Sequence, residues 1–247
     1  MSNNLPAIQS ELQKSEIQER IRARLGEKAG TFITSVLELA GEDKNLQACN
    51  PQLVVKEALK AAGLDLPLNK NLGFAYVIPY KDNKQQQIPQ FQMGYKGYIQ
   101  LAIRTGKYKH LNAGAVYEGE TVVDDRIKGT LTITGQAKSE KAVGYFVYME
   151  LVNGFEKAIF WTREKVTAHA KRFSKSYNGK HSPWKSDFDA MAIKTMILQL
   201  IPKYGPMTVE MTEALNADMG DFRGFDQAAN AQDEVDAEGN SGDVIDI

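Results

Sequence analysis

Two runs of β-forming residues, 143–152 and 155–161, are separated by the pair Asn153-Gly154, and this spacing constrains the fold more than any other feature of the chain. An Asn-Gly pair suits a type I′ turn, whose two central residues need positive φ, and such turns join neighbouring antiparallel strands. The sequence therefore predicts a β-hairpin here, and with it at least one antiparallel sheet.

Other segments in the middle of the chain also have the composition of strands. Residues 73–80 and 88–93 are rich in aromatic and branched side chains and are joined by a polar stretch, so they are predicted to pair. Weaker strand patterns occupy 109–117 and 129–134, and a short helix is predicted over 94–104. These segments together predict a small antiparallel β meander with an inserted helix.

Helical patterns flank the meander on both sides. Residues 8–40 carry apolar side chains at helical spacing, with Ile17, Ile21 and Leu25 as the clearest example. Asn50 precedes a proline, and this order predicts a helix start because Asn caps a helix and Pro fits its first position. Further helical patterns follow the meander, over residues 162–173, 188–202 and 207–219. The predicted class is α+β, with helices packed on the meander.

Charge is distributed unevenly along the chain, although the formal net charge is only −1. Residues 221–247 hold eight Asp and Glu against Arg223, whereas residues 1–220 hold 29 Lys and Arg against 23 Asp and Glu. The acidic segment has few large apolar groups and is predicted to be a disordered tail. A basic body with an acidic tail is typical of a protein that meets a polyanion.

Composition excludes several classes of protein. A chain of 247 residues with 43% hydrophobic and 25% charged residues fits one large globular domain with appendages. Cys49 stands alone, which excludes an intramolecular disulfide and a thiolate zinc cluster. No apolar run approaches the roughly 20 residues that span a bilayer, and the first residues lack a secretory pattern. We therefore expect a cytoplasmic location and no membrane partner.

Motifs for nucleotide-driven chemistry are missing from the sequence. There is no phosphate-binding loop of the G-x-x-x-x-G-K-[ST] type and no G-x-G-x-x-G after a strand. The acids Glu118, Asp124 and Asp125 are the best candidates for a metal-dependent nuclease site, but a solvated strand edge is the favoured interpretation of them. We predict no catalytic residue and no metal ligand, and keep the nuclease as an alternative.

Basic side chains interleaved with aromatic ones form the positive signal for function. Cations neutralise phosphates, and aromatic rings stack on bases of any identity, so the combination favours sequence-independent binding of single strands. The candidate nucleic-acid contacts are Tyr95, Lys96, Arg104, Lys107, Lys109, Lys171, Arg172, Lys175, Tyr177, Trp184 and Lys185. Packing in the core is the alternative for Tyr95 and Trp184, and a plain solvated face is the alternative for the lysines.

Four segments carry a resemblance to a known family. They are CNPQLV (49–54), GFAYVIPY (73–80), FQMGYKGYIQLAIRTG (91–106) and SPWKSDFDAMAIKT (182–195). In this order they resemble the RecT family of phage single-strand annealing recombinases, over about residues 30–203. The resemblance also assigns Lys194, in the family's Lys-Thr pair, to DNA binding. Ile193 and Leu198 depart from the pattern, since relatives often carry additional basic residues there.

The resemblance implies a protein that anneals complementary DNA strands in recombination without ATP. It implies a large homo-oligomer, a ring or a filament, that holds single-stranded DNA and the annealed duplex in a basic groove. The expected partners are a phage exonuclease and the host single-strand-binding protein. No cofactor is expected to be required, and Mg²⁺ is a candidate modulator of annealing.

The expected organisation has four parts. Residues 1–45 are predicted to be a helical oligomerisation element, because their apolar stripe needs a partner surface, and residues 46–203 to be the DNA-annealing core. Residues 204–220 are predicted to form a C-terminal helix, followed by the acidic tail at 221–247. A protein that passively coats single strands is the second functional alternative, and it would slow annealing rather than accelerate it.

Overall fold

Ten helices are found in the computed structural model, which describes residues 4–81, 84–125, 127–174, 176–179 and 182–218. Their bounds are α1 Leu5–Leu12, α2 Ser15–Leu25, α3 Ala29–Glu42, α4 Lys44–Gln47, α5 Pro51–Gly63, α6 Tyr95–Arg104, α7 Arg163–Phe173, α8 Pro183–Ser186, α9 Phe188–Tyr204 and α10 Val209–Asp218. None of these described helices is long and apolar enough to cross a membrane. The predicted tail, at 221–247, lies outside the described residues.

Seven strands form three antiparallel sheets within the described residues, so the α+β class is confirmed. The strands are β1 Ala75–Lys81, β2 Gln87–Met93, β3 Tyr108–Tyr117, β4 Glu120–Asp125, β5 Thr130–Gly135, β6 Ala142–Leu151 and β7 Glu156–Thr162. The central sheet has the order β3-β6-β7, and the other two sheets are the hairpins β1-β2 and β4-β5. The predicted meander is therefore divided into three sheets.

The hairpin predicted around Asn153-Gly154 is confirmed by the pairing of β6 with β7, which runs from Gly144 opposite Thr162 to Glu150 opposite Glu156. The predicted type I′ turn is wrong, because that turn needs a positive φ at both central residues and Gly154 alone of the pair has one, of 85°. Gly154 N–H donates to the carbonyl of Leu151 at 2.9 Å, and the Asn153 side chain accepts from Phe155 N–H at 3.0 Å. These bonds describe a type I turn followed by a glycine bulge.

The N-terminal helical stretch is interrupted, where the sequence pattern predicts continuity. Gly26 adopts a φ of 53° at the end of α2, and a single 3₁₀ turn over Gly26–Lys28 leads into α3. The break lets α1 and α2 fold back onto α5, which buries Ile8, Leu12 and Ile21 completely or almost so. The apolar stripe thus finds its partner surface within the chain. Oligomerisation by residues 1–45 stays a prediction.

Helix α9 organises the centre of the molecule. It packs on the inner face of the central sheet, where Tyr145, Val147 and Met149 are fully buried, and on its other side it contacts α6. The hairpin β1-β2 packs against α5 and is joined to α6 through Gly94. The start of α9 therefore faces the β2–α6 junction.

Candidate nucleic-acid interface

A cleft of about 570 Å³ opens between the β2–α6 junction and the beginning of α9. We call it the central cleft. It is lined by Lys70, Asn71, Gly73, Tyr76, Ile78, Gln92, Met93, Gly94, Tyr95, Lys96, Pro183, Asp187, Asp189, Ala190, Met191, Ile193 and Lys194. Three of the residues predicted to bind nucleic acid, Tyr95, Lys96 and Lys194, thus come together at one site, although they are up to 99 positions apart in the sequence.

Two backbone contacts shape the wall of this cleft at the β2–α6 junction. A Cβ atom on Gly94 would overlap the carbonyl of Gly73, and one on Gly97 would overlap the carbonyl of Phe74. These glycines flank Tyr95 and Lys96. Their observed role is internal: they let α6 lie directly against the segment that leads into β1.

The lysines of the central cleft differ in what holds them. Lys96 is exposed on the first turn of α6 and makes no ion pair among the described residues. Lys70 is exposed and pairs only loosely with Glu42, at 3.8 Å. Lys194 is buried and its Nζ lies 2.8 Å from Asp218 Oδ2. The exposed positive charge of the cleft lining therefore comes from Lys70 and Lys96.

The two acids in the lining are committed to partners within the chain. Asp187 caps α9 by accepting from Ala190 N–H at 3.1 Å. Asp189 accepts a hydrogen bond from the Tyr145 hydroxyl and lies 3.4 Å from Nη1 of Arg163. Burial first, and then the bond to Asp189, hold the pKa of Tyr145 well above its usual value. The phenol stays protonated and keeps donating to the carboxylate.

Aromatic rings line the cleft and lie beside it. Tyr76 and Tyr95 are half-buried in the lining, and burial, followed by the nearby Asp187, raises the pKa of Tyr76. Both rings offer apolar faces near Lys96. The geometry suits stacking of bases with cations at the rim.

A row of rings continues from the cleft toward the end of α7. Tyr177 and Trp184 lie 5.9 Å apart between ring centroids, and Trp184 and Phe188 lie 5.4 Å apart. Trp184 is only 4% exposed, and its Nε1 donates to the Ser174 hydroxyl at 3.1 Å. Trp184 therefore packs in the core, as the alternative to DNA binding expects. Tyr177 is half-buried at the end of the row.

The outer surface of α7 carries a second group of cations, which we call the α7 face: Lys165, Lys171, Arg172 and Lys203 of neighbouring α9. Lys165 lies over the Trp161 ring at 5.1 Å, and Arg172 lies over the Phe173 ring at 4.9 Å. All four of these cations are exposed. Lys165 and Lys203 are not among the predicted contacts, although the density of bases over residues 165–203 could have identified them.

The pKa of His169 depends on its burial and on the cations of the α7 face. Its ring lies 5.3 Å from that of Trp161 and 4.7 Å from that of Phe173. Burial, and then the charges of Arg172, Lys165 and Lys203, lower the pKa of His169 to about 4. The imidazole is therefore neutral at physiological pH.

The other predicted contacts lie apart from the central cleft. Arg104 donates to the carbonyls of Leu64 and Asp65, both at 2.8 Å, and so caps the end of α5. Lys109 pairs with Glu150 at 2.6 Å, beside the exposed Lys107. Lys185 is exposed on α8, and Lys175 lies outside the described residues.

The acids proposed for a nuclease make other contacts. Glu118 accepts from the Ser139 hydroxyl at 3.0 Å, and Asp125 accepts from the backbone N–H groups of Ile127 and Lys128 in the β4-β5 turn. Over the described ranges, no three His, Cys, Asp or Glu side chains are placed to hold a metal ion. The nuclease alternative therefore gains no support from this part of the chain.

Comparison with known proteins places the chain in a family. Residues 30–235 match the model of the RecT family. The chain is 41% identical to an uncharacterised protein, YqaK of Bacillus subtilis (strain 168), over 205 residues that cover 83% of this chain and 69% of that protein. It is 25% identical to Protein RecT of Escherichia coli (strain K12), over 223 residues that cover 87% of this chain and 78% of RecT. The chain belongs to the RecT family, whose proteins take part in single-strand DNA annealing in recombination.

Proposed function

We propose that this protein binds single-stranded DNA along the central cleft and the α7 face, and that it anneals complementary strands as a homo-oligomer, without ATP and without a catalytic step. The observation that carries the proposal is the composition of the cleft, whose lining combines the exposed lysines Lys70 and Lys96 with half-buried tyrosine rings. Its two acids make hydrogen bonds within the chain. Membership of the RecT family supports the same conclusion.

The two basic surfaces are connected through α8. Trp184 bonds to Ser174 at the end of α7, and the neighbouring Pro183 lines the cleft. A backbone that leaves the cleft past α8 would therefore meet Lys171 and Arg172 on the last turn of α7. Contacts of this kind go to phosphates and to ring faces, so they do not distinguish one sequence from another.

Annealing requires two like-charged backbones to approach, and lysines that neutralise phosphates lower that barrier. A single protomer offers few such contacts, so a row of protomers along one strand would gain its affinity from multivalency. Base pairing then releases roughly 1.4 kcal/mol per step from stacking, which makes nucleotide hydrolysis unnecessary. A phage exonuclease that supplies the strand and the host single-strand-binding protein that covers it are the partners that we propose for the cell.

The decisive experiment measures the pairing of two complementary, fluorescently labelled oligonucleotides without ATP, with and without Mg²⁺. We expect the wild-type protein to accelerate pairing, and Lys96→Ala and Arg172→Ala to reduce the acceleration. Lys56→Ala is the matched control, because Lys56 is an exposed lysine on α5 that does not line the cleft. Slower pairing with the wild type would indicate passive coating instead, and Mg²⁺-dependent cutting of the strands would indicate a nuclease.

A further inference from the structure

Lys194 lines the central cleft, but its charged end is directed into the protein. Its Nζ lies 2.8 Å from Asp218 Oδ2, and the two side chains are 7% and 3% exposed. Asp218 belongs to α10, so this pair ties the C-terminal helix to the middle of α9. The other carboxylate-bound cations of the described chain are far more exposed, such as Lys28 at 70%.

Asp218 accepts two further hydrogen bonds from the β2–α6 region. The Tyr98 hydroxyl donates to Oδ2 at 2.6 Å, and Met93 N–H donates to Oδ1 at 3.1 Å. Burial, and then the charge of Asp218, raise the pKa of Tyr98 well above its usual value, so the phenol stays a donor. One carboxylate thus holds α9, α6 and the end of β2 at a single buried point.

This point lies directly behind the cleft wall. Met93 is the last residue of β2, and Tyr95 and Lys96 follow it after one glycine. Tyr98 is on the next part of α6, less than one turn beyond Lys96. Any shift of Met93 or Tyr98 would therefore displace the ring and the cation that line the cleft.

A phosphate would have to compete with Asp218 for Lys194, and full access to the buried ammonium would require the carboxylate to be displaced. The displaced carboxylate would leave the Tyr98 hydroxyl and Met93 N–H without their acceptor inside the protein, and unsatisfied buried donors are costly. Removing one member of a buried ion pair leaves the other charge uncompensated, whereas apolar replacement of both members is often tolerated. The pair therefore has the properties of a structural clamp.

We propose that Lys194 and Asp218 form a positioning pair, which fixes the β2–α6 junction so that Tyr95 and Lys96 present to DNA, and that Lys194 itself contacts no phosphate. This inference rests on the proposed function of the central cleft. It reassigns the lysine that the family resemblance gave to DNA binding, and it gives α10 a role in shaping the site.

The test compares the salt dependence of single-strand binding among variants of the full chain. Each phosphate contact that is lost lowers the log–log slope by about one, whereas a positioning change lowers affinity at constant slope. We expect Lys96→Ala to lower the slope by about one. The double variant Lys194→Met/Asp218→Asn removes both charges of the pair but keeps an oxygen acceptor at position 218, and we expect it to keep the wild-type slope. Lys194→Met alone and Asp218→Asn alone should bind more weakly than the double variant.

Tyr98→Phe provides a second measurement, because it removes one donor to Asp218 and no charge. Losing a hydrogen bond to a charged group is expected to weaken oligonucleotide affinity by up to about tenfold, with the slope unchanged. A slope lowered by about one in the double variant, or unaltered affinity in Tyr98→Phe, would overturn the positioning role. Absence of salt-dependent binding in the wild type would instead refute the proposed function, and the role of the pair with it.

Discussion

Gly97→Ala should destabilise the protein, although the substitution places a better helix former inside a helix. Gly97 is buried in the first turn of α6, where α6 crosses the segment before β1. A Cβ atom there would overlap the carbonyl oxygen of Phe74 and lie 3.2 Å from the Cε of Met93. The methionine end can move, but the carbonyl belongs to the backbone and can yield only if α6 or β1 shifts.

The expected size follows from two opposing contributions. Replacing Gly by Ala inside a helix normally adds about 1 kcal/mol to the free energy of unfolding. Overpacking a well-packed site normally removes about 1–3 kcal/mol, and an overlap between two backbone segments belongs at the upper end of that range. The net loss is therefore about 2 kcal/mol, which lowers the midpoint of thermal unfolding by about 4–8 °C for a chain of this size.

Thermal and urea unfolding followed by circular dichroism measure this loss. Gly30→Ala is the matched control, since Gly30 is exposed on α3 and an added Cβ meets nothing within 4 Å. We expect the control to be as stable as the wild type or slightly more stable. Gly97→Ala with wild-type stability would show that α6 does not rest on the Phe74 carbonyl, and would remove the stated reason for the glycine.

Two further predictions concern charge. The pKa of His169 is lowered to about 4 in the folded protein, whereas an unfolded histidine titrates near pH 6.5, so between these values the unfolded state binds one more proton than the folded state. The free energy of unfolding should therefore fall as the pH drops from 6.5 toward 4. Urea titrations of His169→Gln should show a weaker fall. Removing residues 221–247 takes away eight carboxylates and one arginine, so single-strand affinity at low salt should rise if the tail competes with DNA, and equal affinity in filter binding would refute competition.

Local signals in the sequence were sufficient for most secondary structure. Asn50 caps α5 by accepting from Gln52 N–H at 2.9 Å and from Leu53 N–H at 3.4 Å, as its place before a proline predicts. The β6-β7 hairpin is equally local, because its pairing needs only the residues on either side of the turn. The sequence does not predict the break at Gly26, since a glycine between two stretches of compatible helical periodicity does not indicate whether the chain bends there.

Side-chain contacts between residues far apart in the sequence could not be predicted from the sequence alone. Asp218 looks like an ordinary acid near the end of a helix, and nothing near it in the sequence indicates that Lys194, Tyr98 and Met93 N–H all converge on it. Arg104 likewise has the pattern of a surface cation, yet it caps a helix that ends 41 positions earlier. Density of charge predicts that a basic surface exists, but not which cations are already neutralised.

The pairing of charges within the chain also explains how a cleft with three lysines and two aspartates in its lining can attract a polyanion. Asp187 caps the first turn of α9, and Asp189 is held by Tyr145 and Arg163, so a helix dipole or a cation of the protein offsets part of the charge of each carboxylate. Lys194 is balanced in the same way by Asp218. Lys70 and Lys96 are the exposed cations of the lining. In the binding mode that we propose, they contact phosphates while the bases lie on the tyrosine rings. In this orientation the protein contacts the backbone and the faces of the bases. The edge of each base then stays open to a second strand, as annealing requires.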